Sequence, residues 1–152
     1  MEWIKVFSPA TIGNIGPGFD VLGLAVSGWG DVVEARKIDS GVVISSIDSH
    51  HELPLDPNEN TAGIAAREVL SLLREKGGVD LKIKKGLPSG SGLGSSAASA
   101  AAAAFATNHL YQGQFSKEDL ILPATKAEEY VSGGFFADNT APCLLGGATL
   151  TR

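Results

Sequence analysis

The sequence has one cysteine, Cys143, and therefore no partner for an internal disulfide; such usage fits a reducing compartment, so a cytoplasmic protein is expected. Basic residues are also scarce. Twelve Lys and Arg against seventeen Asp and Glu leave a net charge of −5, which argues against a nucleic-acid surface, because a phosphate backbone calls for a basic face. An acidic protein can still hold one phosphorylated ligand through backbone N–H groups. No stretch approaches the roughly 20 apolar residues of a membrane span, and the start, MEWIKVFSPA, lacks the charged-then-apolar pattern of a signal peptide. No membrane partner is expected. No repeat of fixed period runs through the chain.

What is present suits one soluble domain: 152 residues, 43% of them hydrophobic, enough to bury a real core. Nineteen glycines gather in three regions, 13–30, 77–94 and 133–147, and predict three special loops on one fold. Residues 3–7 start a strand. Residues 31–37 and 42–47 are expected to pair as strands joined by a turn at 39–41. From Thr61 to Glu75 the apolar set Ala62, Ala65, Ala66, Val69, Leu72 and Leu73 keeps a 3.6 period, predicting an amphipathic helix ended by Gly77–Gly78. Residues 79–83 alternate as a strand, residues 95–110 form a helix, and a second helix restarts near Pro123 and runs to Val131. The segment 132–147 is expected to be loop. Residues 148–151 begin a strand that would continue beyond the last residue. Strands first, then helices mixed with strands, predict an α+β layer rather than a doubly wound sheet.

The densest signal is GLPSGSGLGSSAASAAAA, residues 86–103, with four glycines and five serines ahead of an alanine run. A helix N-terminus presents unpaired N–H donors and the positive end of the macrodipole, together an anion site. Gly90, Gly92 and Gly94 let the backbone approach a bulky phosphate. Ser95 and Ser96 add hydroxyls, one suited to phosphate and one to Mg²⁺, a hard ion that prefers oxygen. The alanines from Ala97 keep the helix slim and stable. The stretch is not GxxxxGK[ST], since the lysine is missing, and its glycine spacing is not GxGxxG. A plain glycine-serine connector capped by Ser95 would account for the loop by itself. Leu93 between two glycines, the paired serines and the alanine helix together favour phosphate.

PSGSGLGSSAAS, residues 88–99, resembles the nucleotide-phosphate loop of the GHMP kinases, whose pattern P-x-x-x-G-L-G-S-S-A-A is met from Pro88 to Ala98 without a gap. SPATIGNIGPGFDVLGLA, residues 8–25, is similar to the first motif of the homoserine kinase branch, N-x-G-x-G-F-D-x-L-G, at Asn14, Gly16, Gly18, Phe19, Asp20, Leu22 and Gly23. AEEYVSGGFFADNTAPCLLGG, residues 127–147, is similar to that branch's third motif through Glu128, Ser132, Gly133, Asp138, Asn139, Ala141, Pro142, Gly146 and Gly147. Two departures stand out: Ala127 replaces a glycine before the glutamate, and Phe136 stands where histidine is common.

The resemblance implies the family's N-terminal ATP-binding domain over residues 1–152, a mixed, mainly antiparallel sheet packed against helices around a ribosomal-protein-domain-like βαβ core. The family's C-terminal lobe, with its further glycine-rich segment and arginines, lies outside these residues. ATP and Mg²⁺ are the implied cofactors. Asn60, Pro88, Ser89, Gly90, Ser91, Gly92, Leu93, Gly94, Ser95, Ser96, Ala97 and Ala98 would bind ATP; Ser96 and Glu128 would ligand the metal. Asn14, Asp20 and Asn139 would bind the substrate, L-homoserine, whose hydroxyl receives the γ-phosphate. Asn139 and Asp138 fall at the catalytic centre, where Asp138 as base and proton loss to the phosphate both remain open. A homodimer is compatible with the resemblance. Taken singly, Asp20 would suit a turn and Glu128 a solvated helix face. Two other outcomes compete: a GHMP kinase for another alcohol, such as mevalonate, and a nucleotide-binding fragment without chemistry. Of the basic residues, Lys126 is expected nearest to the motifs.

Overall fold

The computed structural model describes residues 2–88 and 90–152. Alternating apolar residues build β1 (Ile4–Ile12), β2 (Leu22–Ile38), β3 (Gly41–Asp48) and β4 (Gly78–Lys84), with a short β5 (Ala148–Leu150) at the end. Helices α1 (Thr61–Leu73), α2 (Ser95–Leu110), α3 (Ile121–Ser132) and α4 (Thr140–Leu145) complete the order. The strands form one sheet in the order β1-β2-β4-β3, with β5 pairing β2. The pairs β1–β2, β2–β4 and β2–β5 are antiparallel, while β3–β4 is parallel. This is the expected α+β layer. Among the described residues no helix is long and apolar enough to cross a membrane.

The expected β2–β3 hairpin does not form. β4 lies between the two strands, reached from β3 through α1, since parallel neighbours need a crossover rather than a tight turn. The short turn between Ile38 and Gly41 passes over the start of β4, where both strands take Gly78 as partner. A side chain at Gly78 would fall on the backbone of Ser40 and Gly41, so only glycine fits beneath the turn. In β1 the register with β2 shifts between Pro9 and Ala10, at a residue that lacks an N–H to donate.

One face of the sheet is apolar. Val33, Ala35, Ile44, Val79, Leu81 and Ile83 are buried there against α1 and α2. The other face carries Lys5–Glu34 and Arg36–Asp80 pairs, with the Arg36 and Lys82 cations within 4.6 and 4.2 Å of the Trp3 ring centroid. Behind the sheet α2 is enclosed on every side, touching β1, β2, α1, α3 and α4. Its alanines from Ala97 to Ala104 are at most 1% exposed, and that smallness lets sheet and helices close on it together. A larger side chain there would overpack at a cost of about 1–3 kcal/mol.

Helix ends differ from expectation in two places. α1 stops one turn before Gly77, with Arg74 itself in the left-handed region at φ 55°. The segment expected as loop after α3 contains α4, which Gly146 terminates. Pro123 sits in the first turn of α3, where its missing N–H costs nothing.

Candidate functional site

The N-terminus of α2 opens into a cleft of about 500 Å³ walled by the β1–β2 loop, the β3–α1 loop, the glycine-serine loop and α3. Gly90, Gly92 and Gly94 take φ values of 72°, 75° and 67°, which fold the loop back so that its backbone borders the cleft. Gly94 is the N-cap of α2 and offers no side-chain cap, so the first-turn N–H groups stay available to an anion. Gly94 is also tightly surrounded: a Cβ there would fall on Thr11 Oγ1 and lie 3.0 Å from Asn139 Oδ1.

Ser96 Oγ donates to Glu128 Oε2 at 3.0 Å across the cleft, and Glu128 Oε1 is buried without a partner. Burial pushes the Glu128 carboxyl above its ordinary value, against the opposing pull of the Ser96 hydroxyl and the Lys85 cation. A buried, half-satisfied carboxylate beside a hydroxyl is an oxygen-only donor set suited to a hard cation. Among the described residues no three His, Cys, Asp or Glu side chains gather around a metal position.

Asn139 precedes α4 and lines the cleft, with its Oδ1 accepting from Thr11 Oγ1 at 2.9 Å. Asn14 lines the cleft from the β1–β2 loop, and its Oδ1 accepts the Asp20 backbone N–H at 2.9 Å. That bond helps hold both residues at positive φ, 55° for Asn14 and 60° for Asp20. Asp138 is 4% exposed and does not border the cleft; its carboxylate turns to Gly13, with Oδ2 buried and unpartnered. Burial raises its carboxyl too, and the nearby Asp20 charge adds to the rise. Asn60 lines the cleft while capping α1: its Oδ1 accepts the Ala62 N–H and its Nδ2 donates to Pro54 O.

The cleft thus unites Asn14, Asn60, Gly90, Ser91, Gly92, Gly94, Ser95, Ser96, Glu128 and Asn139. Pro88, Leu93, Ala97, Ala98, Asp20 and Asp138 do not line it, Asp20 being bonded through its backbone to the lining Asn14, and Ser89 lies outside the described residues. Leu93 packs on the core beside fully buried Ala97 and Ala98. Phe136 is 46% exposed and does not line the cleft.

The cation nearest the motifs is Lys85, not Lys126, which pairs with Glu68 of α1 at 2.9 Å. Lys85 Nζ donates to Asp31, to Ser95 O at 2.8 Å and to Ser99 Oγ at 2.8 Å. Asp31, wholly buried, also accepts the Gly86 N–H and the Ser99 hydroxyl, each at 2.9 Å. Burial lowers the Lys85 amine, with Asp31 opposing the shift. This network clamps the glycine-serine loop and the first turn of α2 to β2. The clue in the sequence was an aspartate opening an apolar strand, DVVEA, and a lysine just before Gly86.

Residues 60–147 match the model of the GHMP kinases N terminal domain. The chain is 42% identical to a homoserine kinase of Methanococcus maripaludis over 99% of its length and 50% of that protein. With a homoserine kinase of Methanopyrus kandleri the identity is 48%, over 97% of this chain and 47% of the relative. The crystal structure of a homoserine kinase from Cytophaga hutchinsonii superposes with a TM-score of 0.93 at 44% identity, over all of this chain and 49% of that one. A Methanococcus jannaschii mevalonate kinase shares the fold at a TM-score of 0.76 and 15% identity, over 97% of this chain and 52% of that one. The chain spans about half the length of the curated relatives it matches.

Proposed function

The chain belongs to the GHMP kinases, and from that membership we propose that it carries the nucleotide-binding domain of a homoserine kinase, transferring the γ-phosphate of ATP to the hydroxyl of L-homoserine. One observation carries the reading: the uncapped N-terminus of α2 faces the same cleft as the Ser96–Glu128 pair and the Asn14 and Asn139 amides. Anion donors, a hard-cation donor set and acceptor-binding groups therefore share one space.

The polyphosphate is held by the backbone N–H groups of the glycine loop and the first turn of α2, with the macrodipole favouring its charge. Ser96 and Glu128 fit Mg²⁺, because the orphaned Oε1 needs a cation and an ion bound mainly by phosphates takes only one or two protein oxygens. Bound there, Mg²⁺ would neutralise charge on the phosphates. Asn139 meets the acceptor hydroxyl, and Asn14 with Asp20 suits the ammonium of an amino-acid substrate. Asp138 supports the β1–β2 loop, its carboxylate packed against Gly13. Catalysis rests on positioning and electrostatic stabilisation. The acceptor is a small molecule rather than nucleic acid, and the protein acts in the cytoplasm, alone or as a homodimer.

The test is ATP-dependent phosphorylation of homoserine, mevalonate, galactose and shikimate in parallel, by the native protein rather than by residues 1–152 alone. Homoserine is expected to be the preferred acceptor. Activity confined to alcohols lacking an amino group would replace this reading with another GHMP kinase, and nucleotide binding without any turnover would favour a binding module.

A further inference from the structure

We infer that Thr11 is a positioning residue: its hydroxyl fixes the Asn139 amide with oxygen inward and NH₂ toward the cleft, so that Asn139 meets the acceptor hydroxyl as a donor. The inference rests on the phosphotransfer reading above. Thr11 lies near the end of β1 and is wholly buried. Its backbone N–H donates to Leu93 O at 2.9 Å, bonding the strand to the phosphate loop. Its side chain donates to Asn139 Oδ1 at 2.9 Å, bonding the same strand to the residue ahead of α4. The loop for the phosphates and the amide for the acceptor therefore hang on one residue. Gly94 accommodates this meeting, since any Cβ there would displace the Thr11 hydroxyl.

The orientation of the amide follows from hydrogen-bond accounting. A carboxamide accepts at oxygen and donates at nitrogen, and a buried hydroxyl needs an acceptor for its proton. The other polar side-chain group bonded to Thr11 Oγ1 is the Cys143 thiol, with sulfur 3.9 Å away and also 3.5 Å from Pro9 O. Sulfur is a weak acceptor, and this thiol is placed to donate. Burial keeps it protonated, its pKa pushed up to about 12. The Thr11 proton therefore goes to Asn139 Oδ1. Turning the amide over would leave that proton facing sulfur alone. The Asn139 NH₂ is then left on the side of Gly13, which with Asn139 lines the cleft, and there it donates to a lone pair of the acceptor oxygen and cannot take up its proton. As the new P–O bond forms and the bond to the ADP leaving group breaks, the hydroxyl proton passes to an oxygen of the transferred phosphoryl group.

Thr11→Val keeps the branching of the side chain and the backbone bond to Leu93 but removes the hydroxyl; Thr11→Ser restores it. In the native protein, with ATP and homoserine, Thr11→Val is expected to lower kcat about tenfold, while the ATP Kd moves by less than about twofold. Thr11→Ser should recover most of the loss. In an Asn139→Ala background, Thr11→Val should cost nothing further in kcat, because the group it positions is gone. An unchanged kcat in Thr11→Val, or fully additive losses, overturns the assignment. A second readout needs no turnover: the Asn139 side-chain carboxamide NMR signals should move in Thr11→Val and return in Thr11→Ser. Signals that stay in place in Thr11→Val overturn the role of Thr11 whatever the reaction is. Absence of homoserine turnover in the parent protein would sink the function reading instead, and the NMR comparison still decides this one.

Discussion

Gly92 and Gly94 share a left-handed backbone and differ in surroundings, so alanine at each separates conformational strain from crowding. At φ 75° Gly92 has nothing within 4 Å of the place its Cβ would occupy. Gly92→Ala therefore costs the left-handed penalty alone, about 1–2 kcal/mol. Gly94→Ala pays the same penalty at φ 67° and also drives a methyl into Thr11 Oγ1. Breaking the Thr11–Asn139 bond strands a buried hydroxyl, a further loss of about 1–3 kcal/mol. The sum is about 2–5 kcal/mol, a sizeable part of the stability of an ordinary domain. At about 2–4 °C per kcal/mol for a chain this size, Gly92→Ala should lower Tm by roughly 2–8 °C and Gly94→Ala by roughly 4–20 °C. The order should invert for ligand. The methyl of Gly92→Ala projects into open space on a wall of the cleft, so ATP binding should weaken beyond its small effect on folding. Calorimetric melting and isothermal titration with MgATP measure the two quantities. A Gly94→Ala protein that melts no lower than Gly92→Ala would refute the crowding argument, and a Gly92→Ala protein with native ATP affinity would separate the loop from the phosphates.

Glu128 has a raised carboxyl pKa, so its contribution to stability is present below its ordinary value of 4.5 and is lost as pH rises through the higher folded value. Glu128→Gln should therefore melt higher than the parent at pH 8 without ligand, with little difference at pH 4, and a lower Tm at pH 8 would contradict the burial cause. With MgATP the same variant should need more Mg²⁺, and its loss of kcat should not add to that of Ser96→Ala; independent losses would show that the two residues serve different sites. Lys85→Met leaves Asp31 charged and unpaired at 0% exposure and should cost about 3–5 kcal/mol in urea denaturation, with Asp31→Asn/Lys85→Met recovering much of it. A single-variant loss below about 1 kcal/mol would mean the pair is not a clamp. Residues 1–152 alone should bind MgATP weakly without turning over homoserine, because Lys85 is the only cation among the described cleft residues and its N–H groups are already engaged. Robust turnover by a chain whose intact mass ends at Arg152 would overturn that expectation.

The sequence by itself determined the local features. The 3.6 period at 61–73, the alanine run of α2 and the alternation of β4 each depend on neighbours a few residues apart, and each element formed close to its expected place. The glycine-serine loop was legible for the same reason, since its glycines and serines sit next to the helix they serve. Resemblance added Asn14, Glu128 and Asn139, which the fold gathers in one cleft from three separate regions of the chain. Tertiary structure decided everything that depends on distant partners. β4 entered between β2 and β3 because sheet order is set by the crossover through α1, not by the short turn at 39–40. α4 is a helix of six residues, too short to show a period, and it forms under the packing of α2 and β1. The Asp31–Lys85–Ser99 network spans β2, the residue after β4 and α2, and Thr11 meets Asn139 across 128 positions of sequence. Buried polar groups find partners wherever the fold brings them, so an aspartate in an apolar strand hinted that Asp31 is buried, but no pattern along the chain named the partner it would meet.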